Sequence, residues 1–180
     1  MTDLFMERRW SQPLTEADLQ AMMDEVGCLS IHRLEWCSSL LSSDGLEMFC
    51  HFRGVDAESL RIAMRGLSLP AARIWACSVQ DAVAALSPAD LAGANVLVGH
   101  EFDTPADHHA RELSHEVDMG CFQIHRVRRL RSYLSTDRPR LFSLYQAPDA
   151  ESVRLAQRQA GLPPDRVWAV RRYAPPQPDA

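Results

Sequence analysis

The sequence predicts an α+β fold made of two tandem βαββαβ units, and three observations predict it. A heptapeptide, Gly27-Cys28-Leu29-Ser30-Ile31-His32-Arg33, returns as Gly120-Cys121-Phe122-Gln123-Ile124-His125-Arg126, so that His32 and His125 stand 93 positions apart. The same offset, without a gap, aligns Asp56-Ala57-Glu58-Ser59 with Asp149-Ala150-Glu151-Ser152, and Arg73-Ile74-Trp75-Ala76 with Arg166-Val167-Trp168-Ala169. Each copy also passes through the same order of strand and helix signals. One register held through so many matches marks an internal duplication.

In each copy an apolar start, Leu4 to Trp10 or Val96 to Phe102, reads as the first strand. A helix follows. Thr15 is its N-cap in copy one, with Asp18 three residues on, and Leu19, Met22, Met23 and Val26 share a face. In copy two Thr104 caps and Pro105 takes the first helical position. Two strands are expected next, Ser30 to Leu41 and Glu47 to Arg53, joined by Ser42-Ser43-Asp44-Gly45. Their counterparts are Gln123 to Leu134 and Arg140 to Gln146, joined through Ser135-Thr136-Asp137-Arg138-Pro139. A second helix opens at Asp56 or Asp149 and stops at Leu69-Pro70 or Leu162-Pro163-Pro164, because proline does not continue it. Arg73 to Val79 and Arg166 to Tyr173 close the units.

This is the split βαβ, ferredoxin-like pattern. Its sheet carries helices on one face only, and the bare apolar face needs a partner. The duplication supplies one, so two tandem ferredoxin-like units are expected to form an intrachain pseudo-twofold α+β barrel. The expected boundaries are 1–79 for the first unit, 80–95 for a linker, 96–173 for the second unit and 174–180 for a proline-rich, disordered tail. Ser87-Pro88-Ala89-Asp90 is a helix-start signal inside the linker.

Composition narrows the function. Hydrophobic residues make up 46% and charged residues 24%, as in ordinary globular chains. A net charge of −5 argues against nucleic acid, and the Arg126, Arg128, Arg129 and Arg131 cluster reads as a charged strand face. No run of about 18 apolar residues spans a membrane, and the N-terminus lacks a signal-peptide pattern. Five cysteines without a Cys-x-x-Cys pair fit reduced thiols, hence a cytoplasmic location. No Gly-x-Gly-x-x-Gly run occurs, so no nucleotide cofactor is expected. Monomer and homodimer both remain open.

Several residues have the chemistry of a site. His32 and His125, read as equivalent positions on the second strand, fit a divalent transition metal such as nickel, zinc or copper. They equally fit ordinary sheet histidines. Cys50 shares a strand face with Met48 and Phe52, and Leu141, Ser143 and Tyr145 correspond in copy two. With Trp36 they make a ligand cavity of mixed apolar and weakly polar lining, or a plain core. His51, next to Cys50, points to the other face. Cys50 and His32 on neighbouring strands form a nucleophile–base candidate. His108, Glu112 and His115 lie on one helical stripe opposite Ala106, Ala110, Leu113 and Val117, and read as a solvated face.

The segment Phe142-Ser143-Leu144-Tyr145-Gln146-Ala147-Pro148-Asp149-Ala150-Glu151, running on to Ala160-Gly161-Leu162-Pro163, resembles a family of small ferredoxin-like domains whose described branch is a bacterial nickel-binding protein. Copy one keeps Phe49-Cys50 and Trp36 from its pattern, where copy two has Phe142-Ser143 and Arg129. The resemblance implies a dimeric α+β barrel. The nickel-binding branch has a strand-end histidine, matched here by His100, and a helical His-x-x-x-His pair, which here falls on Ala156 and Ala160 or Ala63 and Leu67.

The leading expectation is therefore a small, non-catalytic cytoplasmic module for a transition metal, with nickel favoured by the resemblance alone. Its ligands would come from His32, His125, Cys50 and His100, with Glu7 also in reach. The alternative is an α+β-barrel enzyme, a cofactor-free monooxygenase or isomerase, acting on a small hydrophobic molecule in a cavity lined by Trp36, Met48, Phe52 and Tyr145. A third reading is a protein-interaction module with a fully packed interior.

Overall fold

The computed structural model describes residues 1–66, 73–83, 86–103, 120–137 and 139–175, apart from the side chains of 25–28. The chain divides into two compact units, Met1–Cys77 with Arg172–Ala180, and Ser78–Arg171.

In the first unit β1 (Thr2–Arg9) pairs antiparallel with β3 (Glu47–Gly54) on one side and β4 (Arg73–Asp81) on the other. β3 then pairs with β2 (Glu35–Ser42), giving the order β4-β1-β3-β2. The β2–β3 turn is held by Ser42 and Asp44, and Gly45 supplies its positive φ of 73°. α1 (Glu16–Glu25) is opened by a reciprocal cap, Thr15 N donating to Asp18 Oδ2 at 2.8 Å and Asp18 N to Thr15 Oγ1 at 3.2 Å. α2 (Ala57–Gly66) buries Leu60, Ala63 and Met64, spaced for one helical face. They pack with Leu4, Met6, Leu41, Met48, Cys50 and Phe52 from alternate strand positions, so helices and sheet share one core. The opposite strand face carries Phe5, Phe49 and Trp75, with Phe5 and Trp75 ring centroids 4.8 Å apart.

The second unit repeats the order. α3 (Pro88–Ala92) has the full capping box of Ser87 and Asp90, as its start signal predicts. β5 (Val96–Glu101) pairs antiparallel with β7 (Arg140–Gln146) and β8 (Arg166–Tyr173), and β7 with β6 (Arg128–Ser135), giving β8-β5-β7-β6. α4 (Gly120–Ile124) precedes β6. α5 (Ala150–Gln159) is capped by Asp149 accepting from Ser152 N and buries Val153, Ala156 and Gln157.

Small features recur too. Arg61 and Arg154 both reach carbonyls of the last strand, those of Ile74 and Val167. Bulges interrupt both central hairpins, between Trp36 and Ser38 and between Arg129 and Arg131.

One expectation is corrected. His32 and His125 are not on the second strand: His32 ends a 3₁₀ segment (Val26–His32), and His125 directly follows α4. Their heptapeptide closes a helix instead. Leu34 N donates to Leu29 O and Arg33 N to Ser30 O, while Val127 N donates to Phe122 O and Arg126 N to Gln123 O. That double bond pattern is a Schellman closure, with arginine at the left-handed position, φ 55° at both Arg33 and Arg126. Ile31 and Ile124, which suggested a strand, are 80% and 75% exposed. The strands begin only at Glu35 and Arg128. The Thr104-Pro105 helix start and the Leu69-Pro70 stop lie outside the described residues.

Candidate functional site

The first unit holds a cavity of about 60 Å³ inside its own core. β1 contributes Met6 and Arg8, β3 contributes Met48, Cys50 and Phe52, and β2 contributes Trp36 and Ser39. Leu19, Met22 and Met23 come from α1, Leu29 from the 3₁₀ segment, Met64 from α2, and Tyr173 from the end of β8. Five of the protein's seven methionines therefore line one space. Thioether side chains are unbranched and polarizable, and they repack around irregular shapes at little strain. A water needs about 10–15 Å³ of such volume, so the space is large enough for a small organic molecule.

The polar part of the lining is made by the bulge. Residues three apart on a regular strand face opposite sides, but the extra residue at the bulge turns Trp36 and Ser39 to the same side. Trp36 Nε1 donates to Ser39 Oγ at 3.0 Å, and Ser39 Oγ reaches Cys50 Sγ at 3.0 Å. Burial pushes the Cys50 thiol up, against opposing pulls from Ser39 and Arg8, so it stays protonated at neutral pH.

Arg8 is the unusual member. Its side chain is only 5% exposed, and Nη2 makes a hydrogen bond to the thioether of Met64. Nε has no hydrogen-bond partner, and no carboxylate pairs with the guanidinium among the described residues. Desolvation lowers its pKa, with Cys50 pulling the other way. Sequence reasoning missed Arg8, which stands within the charged run Glu7-Arg8-Arg9. The signal was period two: Arg8 continues the face of Leu4 and Met6.

The second unit places Arg129, Ser132, Ser143, Tyr145, Gln157 and His100 in the matching region. Arg129 Nη1 donates to Ser132 Oγ at 3.2 Å, and the Ser132 and Ser143 hydroxyls lie 2.9 Å apart. Gln157 Nε2 donates to Tyr145 Oη at 2.9 Å. Burial raises the Tyr145 pKa and lowers that of Arg129. The charged strand face expected of this arginine cluster holds for Arg128, paired with Asp90, and Arg131, paired with Asp81, but Arg129 is buried. His100 is buried, with Nε2 unpartnered; desolvation lowers its pKa, opposed by Asp165 and Gln157.

Of the residues singled out for a cavity, Trp36, Met48, Cys50 and Phe52 are brought together in the first unit, and Ser143 and Tyr145 lie in the second. The metal candidates His32 and Cys50 belong to the first unit, His100 and His125 to the second. His125 bonds Gln159 through Nε2 at 2.9 Å. His32 does not stand on a strand beside Cys50 and does not line the cavity, which removes the nucleophile–base pairing. Glu7 accepts from Trp75 Nε1 on the other strand face, and His51 bonds Asp3 at 2.8 Å. Among the described residues no three His, Cys, Asp or Glu side chains converge as a metal site would require. The stripe of His108, Glu112 and His115 lies outside the described residues.

Comparison with known proteins adds a family match and a fold likeness. Residues 97–170 match the family model described as nickel responsive protein SCO4226-like. The crystal structure of SCO4226 from Streptomyces coelicolor A3(2) aligns with 40% of this chain and 90% of its own, at 15% identity and a TM-score of 0.37. That of an anthrone oxidase-like protein aligns with 98% of this chain and 95% of its own, at 10% identity and a TM-score of 0.52. At this identity the likeness to the latter is one of fold alone. No curated protein matches this chain.

Proposed function

From a family match over the second unit and a fold likeness over the whole chain, we propose that this protein is a binding module for a small hydrophobic organic molecule, held in the first unit. The observation that carries the reading is the methionine-rich cavity of about 60 Å³. Apolar walls with a few placed polar groups are the usual make-up of a small-molecule site. Among the described residues the lining holds no histidine or carboxylate, and the Cys50 thiol is held protonated, which supports binding over acid–base catalysis. The two units are taken as tandem copies of one ferredoxin-like unit; their shared strand order, bulges and caps support this.

Methyl NMR of methionine-labelled protein tests the reading. Small aromatic and aliphatic probes, neutral and charged, should shift the methyls of Met6, Met22, Met48 and Met64 and leave Met1 in place. If no probe shifts the cavity methyls, the reading fails.

A second reading, transition-metal binding by the other unit, is favoured by the family match together with the buried, unpartnered Nε2 of His100. Burial keeps that imidazole neutral, the form that ligates metals. A nickel titration of wild type against His100→Gln tests it: equal heats in the two proteins, or none in either, remove His100 as a ligand.

A further inference from the structure

We propose that the cavity of the first unit selects an organic carboxylate, its head group on Arg8 and its apolar body among Met48, Phe52 and Trp36. The inference rests on the binding reading above and adds the charge of the ligand.

Arg8 lines the cavity at 5% exposure, and its Nε lacks a partner. Elsewhere in the unit arginines meet carboxylates: Arg9 bonds Glu47 at 2.6 Å, Arg65 bonds Glu58 at 2.7 Å, and Arg61 bonds Glu58 at 3.2 Å. Arg8 sits opposite Met48 across the β1–β3 ladder. Among the described residues this buried guanidinium bonds only the Met64 thioether and meets no carboxylate, and an uncompensated buried charge is one a fold tolerates poorly. Its forked donors match the two oxygens of a carboxylate. Cys50 is no counterion, because burial keeps it a thiol. The arginine is not required by the fold either. Aligning the β1–β4 pair Met6–Ile74 with the β5–β8 pair Val98–Val167 puts His100 at the position of Arg8. The surrounding methionines and aromatics leave the rest of the space apolar. Cation and apolar wall together describe an amphipathic acid.

Calorimetric titration of the full chain with phenylacetate and with phenylacetamide, its neutral counterpart, tests this. Phenylacetate is expected to bind at least about tenfold more tightly, as a charge-assisted hydrogen bond to a buried cation implies. Arg8→Gln should abolish the preference, and Arg8→Lys should restore part of it. Equal affinity of both probes for the wild type would overturn the carboxylate inference while leaving the hydrophobic cavity standing. Binding of neither would overturn both. The wild-type comparison decides the matter even if Arg8→Gln fails to fold.

Discussion

Trp36 and Ser39 are three residues apart on β2 yet face the same side, with Trp36 Nε1 donating to Ser39 Oγ at 3.0 Å. The second unit has the same device at Arg129 and Ser132. In both, the bulge sends a long polar side chain and a serine into one interior and ties the serine to the neighbouring strand, at Cys50 or Ser143. Ser39→Ala should therefore remove the partner of the half-buried indole N–H and destabilise the protein by about 0.5–1.5 kcal/mol. Urea unfolding monitored by tryptophan fluorescence measures it. An unchanged midpoint would show that this hydrogen-bond string adds nothing to stability.

Arg33 and Arg126 both occupy the left-handed region at φ 55°. A residue with a Cβ is strained there by about 1–2 kcal/mol, while glycine is not. Arg33→Gly and Arg126→Gly should each stabilise the fold, by about 0.5–1 kcal/mol once glycine's greater freedom in the unfolded chain is counted. Thermal or urea denaturation of the two variants decides the sign, and destabilisation by both would contradict the closure described.

Cys77 is buried, and burial pushes its thiol up to about 12 from 9.0, helped by the nearby Asp3. An acid whose folded pKa is raised holds its proton when the unfolded chain has lost it. Its contribution is thus complete below about 9 and falls away as pH rises toward 12, by about 1.4 kcal/mol per unit. Unfolding free energies measured from pH 8 upward should fall less steeply in Cys77→Ala than in wild type. Thiol labelling of native protein at mildly alkaline pH should mark the half-buried Cys37 and Cys121 before Cys50 and Cys77.

His100 shows the opposite linkage. Burial lowers its pKa below the ordinary 6.5, so the folded protein resists a proton that the unfolded chain accepts. Its contribution is complete above about 6.5 and is lost as pH falls below that value. Between neutral and mildly acidic pH, wild type should lose more stability than His100→Gln. Parallel pH profiles would show that the imidazole is solvated.

Much of this was legible in the chain. The offset from Asp56 to Asp149 located two helix caps, and the alternation Met48, Cys50, Phe52 gave the strand face that lines the cavity. Both depend on local rules, capping and period two, that hold wherever the segment ends up. The repeated heptapeptide is ambiguous in sequence, because a short apolar run with alternating polarity fits a strand and a helix end equally well. Only the bonds from Leu34 to Leu29 and from Val127 to Phe122 separate the two.

By itself, then, the sequence determined the recurring motifs, the helix caps at Asp56 and Asp149 and the face on which Cys50 lies. Tertiary structure alone decided that His32 stands apart from the cavity and that Arg8 is inside it with no carboxylate paired to it among the described residues. The reason is physical: pairing and burial of a charge depend on atoms distant in sequence, and Arg8, Met64 and Trp36 become neighbours only when β1, α2 and β2 pack around one space.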